Sequence, residues 1–422
     1  MPWLPGEFLE LERAQWLDRE QIEEVQWRRF QLLLQHAVAH SPHYREKLRQ
    51  AGIRPEDIRS REDLVHLPVT TREELRQPER LLARTTAPGA LRSSMTSGSS
   101  GRRTTTYFDP AGWRKAKYLL KLRARLACGL RPWHRLAVIS EAVPRTDFWK
   151  RVLLRQRHFS VLEPMEKLLP ALRAFQPEAV YGFPSAFALL AAERNPGFRP
   201  RLLFTSSEML DPATRRKIEK GFGTEVLDIY GSTEVKEVSW ECPEHQGYHI
   251  NSDWLLVEFI KDGKPSEAPD AEILLTPLFN YGMPLLRYRV GDTGRALPGS
   301  CRCGRGLPLM APSSGRQVDY FTLPDGSRLA PYAMTCAIEA IEGMRQYQIR
   351  QQARDRVEVR IVPTPQFDGA QESLIRQALA PLLPGVAIDI QLRPGLEKEK
   401  SGKFRIVSTA VHETVQPEKA SP

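Results

Sequence analysis

The chain has 422 residues, of which 41% are hydrophobic and 8% aromatic; this length suggests two or three domains, and the composition is that of a globular protein with a sizeable core. No run approaches the roughly 18 apolar residues of a membrane-spanning helix, so the sequence predicts no membrane association. The first residues show no basic segment followed by an apolar run, and five cysteines are too few for a disulfide scaffold. A reducing, cytoplasmic compartment is therefore expected.

The net charge of +10 is concentrated between Arg102 and Arg157, where 15 Lys or Arg residues stand against three acidic ones. Such a segment attracts nucleic acid, an acidic carrier protein or a phosphate-rich cofactor, and it is equally typical of a solvated helix face. No nucleic-acid-binding motif accompanies it, and aromatic residues do not alternate with the basic ones in a stacking pattern. The sequence therefore predicts no nucleic-acid partner.

In chain order, apolar spacing predicts a helix over residues 18–50 with a break at Ser41-Pro42. The pair Thr70-Thr71 before Glu73-Glu74 predicts the capped start of another short helix. A basic helix follows over 113–126 and a buried strand over 135–140. Helices and strands then alternate up to residue 229. The helices are expected at 168–175, 186–193 and 212–221, and the strands at 179–181, 201–205 and 225–229. This alternation is typical of crossover units on a largely parallel sheet.

After Tyr248 the pattern changes to hairpins, with strands over 255–260 and 272–276. From Gln317 onward, short strands and two helices predict a small α+β unit. The expected fold class is α/β: a large N-terminal domain with mainly parallel sheets plus a β-hairpin or barrel-like part, and a small mobile α+β C-terminal domain. The expected division is 1–314 and 315–422, with a hinge at 311–315.

The segment Ser93–Gly101 is rich in serine and glycine and leads into the β-forming run Thr104–Phe108. Its glycines would let the backbone approach a polyphosphate, and its hydroxyl and N–H groups would donate to phosphate oxygens. The alternative is a solvated turn or linker. The segment lacks the Gly-Lys-Ser/Thr ending of a Walker A loop.

Two further stretches suit a nucleotide. The segment Tyr230–Glu234 closes a predicted strand, where Tyr230 would stack on a base, Thr233 would donate to a phosphate and Glu234 would hold Mg²⁺. Asp292 follows Tyr288-Arg289-Val290-Gly291 and would accept hydrogen bonds from ribose hydroxyls. The alternatives are an ordinary strand-to-loop turn and a hairpin turn with a solvated Asp.

Lys403 lies in the charged run Lys398–Arg405, beside Gly402. A lysine on a glycine-containing loop is suited to neutralise negative charge that develops at phosphorus. A solvated charge run is the alternative.

Cysteine and histidine residues on predicted loops form a candidate zinc site. Three thiolates and one imidazole would make a closed structural centre, with either of two histidines as the fourth ligand. The candidates are Cys242, His245, His249, Cys301 and Cys303. Reduced thiols without a metal are the alternative.

The order and spacing of these stretches, over nearly the whole chain, resemble the adenylate-forming superfamily of acyl-CoA synthetases and nonribosomal adenylation domains. The resemblance is strongest to the phenylacetate–CoA ligase-like branch, which includes relatives encoded with capsular-polysaccharide genes. It also rests on the N-terminal stretches 41–44 and 67–71.

The resemblance implies a role for each matching position. The phosphate loop corresponds to Thr96, Ser97, Gly98, Ser99, Ser100 and Gly101. The adenine, base-stacking, magnesium and ribose positions correspond to Ser207, Glu208, Tyr230, Gly231, Ser232, Thr233, Glu234 and Asp292. The hinge and catalytic lysine correspond to Arg316 and Lys403, and the acyl pocket to Tyr181, Gly182 and Phe183. Some members of this branch carry cysteines and a histidine at the candidate zinc positions.

The implied reaction has two steps: a carboxylate attacks the α-phosphate of Mg·ATP, and a thiol then displaces AMP from the acyl-adenylate. The implied acceptor is coenzyme A or the phosphopantetheine of an acyl or peptidyl carrier protein, and an amine is an alternative. The protein is expected to be a monomer or a homodimer. A non-catalytic scaffold or polyanion-binding protein on the same fold is the rival reading.

Two positions depart from the family pattern. Val318 stands where the family usually has Asp two residues after the hinge arginine, and Arg102-Arg103 replaces the common Lys-Pro pair after the phosphate loop. The exact pivot of the hinge therefore stays open.

Overall fold

The computed structural model describes residues 4–95, 104–140, 155–163, 165–191, 193, 196–314, 321–329, 331–339, 341–396 and 406–411. The helices are α1 Leu4–Ala14, α2 Arg19–His40, α3 Pro42–Gln50, α4 Pro78–Leu81, α5 Pro110–Arg114, α6 Leu120–Ala127, α7 Met165–Phe175, α8 Pro184–Leu190, α9 Pro212–Phe222, α10 Pro331–Glu339 and α11 Gly369–Leu379. A π-helical turn, Lys115–Leu119, joins α5 to α6. Short 3₁₀ turns lie at Pro55–Asp57, Glu62–His66, Glu74–Arg76, Pro88–Ala90 and Ala380–Leu382.

The strands are β1 Arg92–Met95, β2 Thr105–Phe108, β3 Leu136–Ser140, β4 Gln156–Ser160, β5 Ala179–Gly182, β6 Leu202–Ser206, β7 Val226–Ser232, β8 Lys236–Glu241, β9 Tyr248–Ile250, β10 Leu255–Lys261, β11 Lys264–Pro265, β12 Ala271–Pro277, β13 Tyr288–Leu297, β14 Leu309–Ser314, β15 Phe321–Thr322, β16 Arg328–Leu329, β17 Met344–Ala353, β18 Arg356–Pro363, β19 Ala387–Leu392 and β20 Val407–Thr409.

Within the described residues, twelve strands form one sheet in the order β11-β10-β12-β13-β14-β9-β8-β7-β6-β5-β3-β4. The five strands β7, β6, β5, β3 and β4 are parallel, and the others pair antiparallel. Apolar side chains cover both faces of the parallel part. One face packs on α7, α8 and α9, and the other on α6. This is the arrangement that crossover connections require.

A second sheet, β19-β18-β17-β20, has its own apolar core with α10 and α11. β17 and β18 form an antiparallel hairpin, and β19 and β20 add to its two edges in parallel. The unit is the small α+β part that the sequence predicts. The division of the chain at residue 314 stays a prediction.

The predicted fold class, mixed α/β, is confirmed. The long N-terminal helix is interrupted at Ser41, because Pro42 begins α3 at a position where its missing N–H costs no hydrogen bond. Of the predicted pairs Thr70-Thr71 and Glu73-Glu74, Thr71 and Glu74 form the reciprocal cap, with Thr71 N donating to Glu74 Oε2 at 2.6 Å and Glu74 N to Thr71 Oγ1 at 3.4 Å. Within the described residues, no helix combines the length and apolar character needed to cross a bilayer.

Candidate active site

The carboxyl ends of the parallel strands bring three predicted segments to one edge of the main sheet. Residues 181–183 span the end of β5, the turn 207–208 follows β6, and the motif 230–234 spans the end of β7. β5, β6 and β7 are consecutive parallel neighbours. Open α/β sheets bind ligands outside the carboxyl ends of their strands, so this edge is the candidate site.

Tyr230 and Asp292 lie far apart in the chain but in direct contact. The Tyr230 hydroxyl donates to Asp292 Oδ2 at 2.9 Å. In sheet order, β7 and β13 are separated by β8, β9 and β14, four strand spacings that would put them about 19 Å apart in a flat sheet. The antiparallel half of the sheet therefore curls back, which brings a carboxylate beside the aromatic ring.

Glu234 is held in the same way from β13. The Tyr288 hydroxyl donates to Glu234 Oε1 at 2.9 Å, and both residues are buried. Burial, together with the negative charge of Glu234, raises the pKa of Tyr288 above its ordinary value, so the phenol keeps its proton and remains a donor. One oxygen of Glu234 is thereby fixed in orientation.

The turn between Tyr230 and Glu234 requires glycine. A Cβ added to Gly231 would collide with the backbone carbonyl oxygen of Lys236 on the neighbouring strand. Ser232 Oγ accepts a hydrogen bond from Val235 N at 3.2 Å, which closes the turn. Thr233 lies on this turn and is half-buried.

The turn after β6 is tied to the predicted acyl segment. Glu208 accepts hydrogen bonds from Ser185 N at 2.9 Å and from Ser185 Oγ at 2.8 Å. Ser207 adopts a left-handed conformation with φ 73°, which is uncommon outside glycine. Burial raises the pKa of Glu208, although the bonds from Ser185 oppose this shift.

In the acyl segment itself, Tyr181 is half-buried, whereas Gly182 and Phe183 are buried. A Cβ at Gly182 would lie 3.0 Å from Phe187 Cε1 and 3.1 Å from Ile139 Cβ. The segment is therefore packed tightly between β3 and α8, and only Tyr181 is partly accessible.

Three of the predicted elements fall outside the described residues: Thr96–Gly101, Arg316 and Lys403. The strands that flank the first of them are described. β1 and β2 form an antiparallel hairpin in which Met95 pairs with Thr105. The serine- and glycine-rich segment therefore connects the two strands of a hairpin.

Comparisons with known proteins find relatives that match most of the chain. Phenylacetate–coenzyme A ligase of Escherichia coli K12 is 29% identical over 323 residues, 71% of this chain and 72% of the relative. The enzyme of the same name from Thermus thermophilus is 28% identical over 377 residues, 83% of both chains. The chain is similar to phenylacetate–coenzyme A ligases over most of its length. No protein-family model matches it.

A solved structure shares the fold of this chain. 2-Hydroxyisobutyryl-CoA ligase, crystallised with 2-HIB-AMP and CoA, superposes with a TM-score of 0.65 at 22% identity and covers 94% of this chain and 92% of its own. At that identity the likeness concerns the fold. It extends from the main sheet into the small C-terminal unit.

In this chain, four of the five predicted zinc ligands form one cluster. The ligand atoms of Cys242, His249, Cys301 and Cys303 lie within 4.8 Å of one another. Cys242 directly follows β8, and His249 lies on β9, where it pairs in register with Trp240. His245 stands apart, with its Nε2 atom 3.5 Å from Glu225 Oε2.

The cluster fits a tetrahedral metal. Cys242 Sγ and Cys301 Sγ are 3.6 Å apart, and Cys303 Sγ and His249 Nε2 are 3.4 Å apart. Zn–S and Zn–N bonds of ordinary length at tetrahedral angles give edges of about 3.8 Å and about 3.6 Å. The sulfur separation is far beyond a disulfide bond. Burial alone raises the pKa of the Cys303 thiol, but hydrogen bonds from Arg305 bring it below its ordinary value.

Sequence reasoning missed Lys236. Its ammonium group donates to Ser94 Oγ on β1, the strand that leads into the predicted phosphate loop. Its backbone is left-handed, with φ 72°. Burial, and then repulsion from Lys117 and Lys121, lowers the pKa of Lys236 to about 8. The available signal was its position, two residues after Glu234.

Proposed function

We propose that the chain uses ATP to activate a carboxylic acid as an acyl-adenylate and then transfers the acyl group to the thiol of coenzyme A. The observation that carries this proposal is the pair of carboxylates, Glu234 and Asp292, held by Tyr288 and Tyr230 at one end of the parallel strands. The reaction class named for the two curated relatives supports it.

In the first step, a carboxylate oxygen of the acid forms a bond to the α-phosphorus of ATP. The bond between the α-phosphorus and the oxygen that bridges it to the β-phosphorus breaks, which releases pyrophosphate. The ring of Tyr230 stacks on the adenine base, and Asp292 accepts hydrogen bonds from the ribose hydroxyls. Thr233, Ser232 and the segment Thr96–Gly101 donate to the phosphates. The main role of these groups is to hold the two anionic reactants, the carboxylate of the acid and the phosphates of ATP, close to each other.

Mg²⁺ is the metal that this site suits. Glu234 offers a buried carboxylate with one oxygen already oriented by Tyr288, and carboxylate oxygen is a preferred ligand of this ion. When bound, Mg²⁺ neutralises part of the polyphosphate charge. Lys236 adds a second positive charge from the side of Ser94.

In the second step, the sulfur of coenzyme A forms a bond to the acyl carbon, the bond to the AMP oxygen breaks, and the thiol proton passes to solvent. We propose that Lys403 serves the first step and that a C-terminal domain, 315–422, pivots at Arg316 between the steps. A carrier-protein pantetheine presents the same thiol, and an amine is the remaining acceptor to be tested.

Cys242, His249, Cys301 and Cys303 would hold Zn²⁺ as a structural centre. Four protein ligands leave no open coordination position, so the ion takes no part in the reaction. It would tie the end of β8 to the loop before β14.

ATP–pyrophosphate exchange with a panel of carboxylic acids, followed by thioester formation with coenzyme A, tests the function. Acid-dependent exchange that is lost in Lys403→Ala supports it, since the lysine would neutralise charge in the transition state. Lys398→Ala, a change in the same charged run, is the matched control and should retain exchange. Absence of acid-dependent exchange with every acid of the panel would refute the proposal.

A further inference from the structure

Glu237 is a buried carboxylate that the proposed chemistry does not use. It is 4% exposed and lies on β8 directly opposite Gly231 of the motif at the end of β7. Among the residues that the structure describes, neither of its carboxylate oxygens has a hydrogen-bond partner. Such an unsatisfied group in a native fold indicates a missing ligand or water.

Two cations on the helix above it face this carboxylate. Lys121 and Arg125 are one turn apart on α6, and Lys121 Nζ lies 3.8 Å from Glu237 Oε1, an ion-pair distance beyond hydrogen-bond range. The same two side chains lie over Tyr181 of the acyl segment, 5.5 Å and 4.5 Å from its ring centroid. Tyr181 therefore connects Glu237 to the predicted acyl pocket.

The donors around Glu237 are incomplete as well. Within the described part of the chain, Arg125 Nε and His158 Nδ1 are buried without a hydrogen-bond partner. Burial, and then the charge of Arg125, lowers the pKa of His158, so its imidazole is neutral at pH 7. We call this group the Glu237 cluster; it consists of Glu237, Lys121, Arg125, His158 and Tyr181. Within the described residues it contains both hydrogen-bond acceptors and hydrogen-bond donors that have no partner.

We propose that the Glu237 cluster binds a hydroxyl group on the acyl chain, so that the acid activated by this protein is a hydroxycarboxylic acid. This inference rests on the proposed function, because it assumes that an acid is adenylated at the end of β7. A hydroxyl group donates a hydrogen bond to Glu237 and accepts one from Lys121 or Arg125, so one small group provides both the missing donor and the missing acceptor.

Other substituents fit less well. An ammonium group would pair with Glu237 but would be repelled by Lys121 and Arg125. A second carboxylate would pair with the two cations but would leave Glu237 without a donor. A plain hydrocarbon would leave every member of the cluster unsatisfied, and sites built around a hydroxyl reject such analogues strongly.

The test is ATP–pyrophosphate exchange with matched acids that differ by one hydroxyl. Suitable sets are phenylacetate with its 2-, 3- and 4-hydroxy derivatives, benzoate with its three hydroxybenzoates, and isobutyrate with 2- and 3-hydroxyisobutyrate. Succinate and glycine represent the competing substituents. We expect kcat/KM for one hydroxy acid to exceed that of its parent by about 10- to 100-fold.

Variants assign the preference to the cluster. Glu237→Leu should reduce the ratio of hydroxy acid to parent to near one, and Lys121→Met should reduce it partly. Ser239→Ala, a change to another buried polar residue of the same strand, should leave the ratio unchanged. Far-ultraviolet circular dichroism and the melting temperature show whether each variant is folded. If Glu237→Leu does not fold, Glu237→Gln and Lys121→Met decide the question.

The outcomes separate the two claims. Exchange with several acids but equal kcat/KM within each set, a preference for succinate or glycine, or a preference that persists in Glu237→Leu would overturn this inference and leave the proposed function intact. In those cases Glu237 serves only as an ion-pair partner of Lys121. Absence of exchange with any acid would overturn the proposed function itself.

Discussion

The Tyr230 hydroxyl lies 2.9 Å from Asp292 Oδ2, and this one hydrogen bond joins two motifs that are 62 positions apart in the chain. Asp292 is thereby oriented beside the ring of Tyr230, where a nucleoside would place its ribose next to its base. The contact depends on the curl of the antiparallel half of the sheet, and it makes the two motifs parts of one site.

Asp292→Asn should raise KM for ATP by about 10- to 100-fold, because a charged acceptor for ribose hydroxyls contributes roughly 1.5 to 3 kcal/mol. Tyr230→Phe keeps the ring and removes only the bond to Asp292, so its effect should be smaller. Initial rates of pyrophosphate exchange against ATP concentration measure both. Equal KM values in Asp292→Asn and the parent protein would exclude the ribose role.

Tyr288→Phe should increase the concentration of Mg²⁺ needed for half-maximal exchange, because Glu234 loses the donor that orients it. The buried carboxylate is also left short of a partner, which should cost about 1 to 3 kcal/mol of unfolding free energy. Tyr248→Phe is the matched control: it removes a 2.8 Å bond to the buried Asp228. It should destabilise the fold without changing the Mg²⁺ requirement, and a shared Mg²⁺ effect would count against the special role of Tyr288.

Lys236 predicts a pH dependence. With its pKa lowered to about 8 by burial and then by Lys117 and Lys121, the side chain is cationic below pH 8 and loses its charge as the pH rises through 8. We therefore expect kcat/KM for ATP in the exchange assay to fall above pH 8. Lys236→Arg, with a much higher pKa, should remove this fall.

Lys115 provides the control for this profile. Burial, and then Arg29, lowers the pKa of Lys115 to about 8 also, but its ammonium group lies over the ring of Trp254, 3.2 Å from the centroid. Lys115→Arg should leave the fall above pH 8 in place. An unchanged fall in Lys236→Arg would show that another group titrates.

The lowered pKa of Lys236 also affects the free energy of unfolding, and this effect has the opposite dependence on pH. The unfolded chain holds the Lys236 proton up to its ordinary pKa of 10.5, whereas the folded chain releases it near 8. Between these values the unfolded state binds more protons, so the contribution of Lys236 to the free energy of unfolding rises with pH. Its destabilising effect is fully present below pH 8.

Zinc content tests the cysteine cluster. Protein purified without chelators should carry one Zn²⁺ per chain, and Cys301→Ser or His249→Ala should lose the metal and lower the melting temperature, because a structural zinc contributes to folding. His245→Ala should keep it, since His245 faces Glu225. Metal analysis that finds no zinc in the parent protein, or loss of zinc in His245→Ala, would contradict the assignment.

The sequence predicted the parts of the fold that depend on local signals. Neighbouring residues alone determine the break at Pro42, the cap at Thr71 and the alternating helices and strands before residue 230. These features can therefore be predicted from the sequence. β4 and β8 were missed because their strands carry polar residues at buried or half-buried positions, as Glu237 and Lys236 illustrate. Their pattern does not alternate in the way that marks a half-buried strand.

Long-range pairing explains what else escaped prediction. The choice between His245 and His249 depends on the register of β8 with β9, where Trp240 lies opposite His249. The Glu237 cluster joins α6, β4, β5 and β8, and no sequence motif predicts that these elements contact one another. By contrast, Tyr230 and Asp292 were predicted to share a nucleotide because each lies in a recognisable motif of the family.

The measurement that tests the account most directly follows the oxygen atoms of the acid. With an acid substrate labelled with ¹⁸O in both carboxylate oxygens, ATP, Mg²⁺ and coenzyme A, mass spectrometry should find one ¹⁸O atom in AMP and one in the thioester, because a carboxylate oxygen forms the bond to the α-phosphorus. Label in inorganic phosphate with ADP as the nucleotide product, or thioester formation with unlabelled AMP, would contradict the acyl-adenylate mechanism.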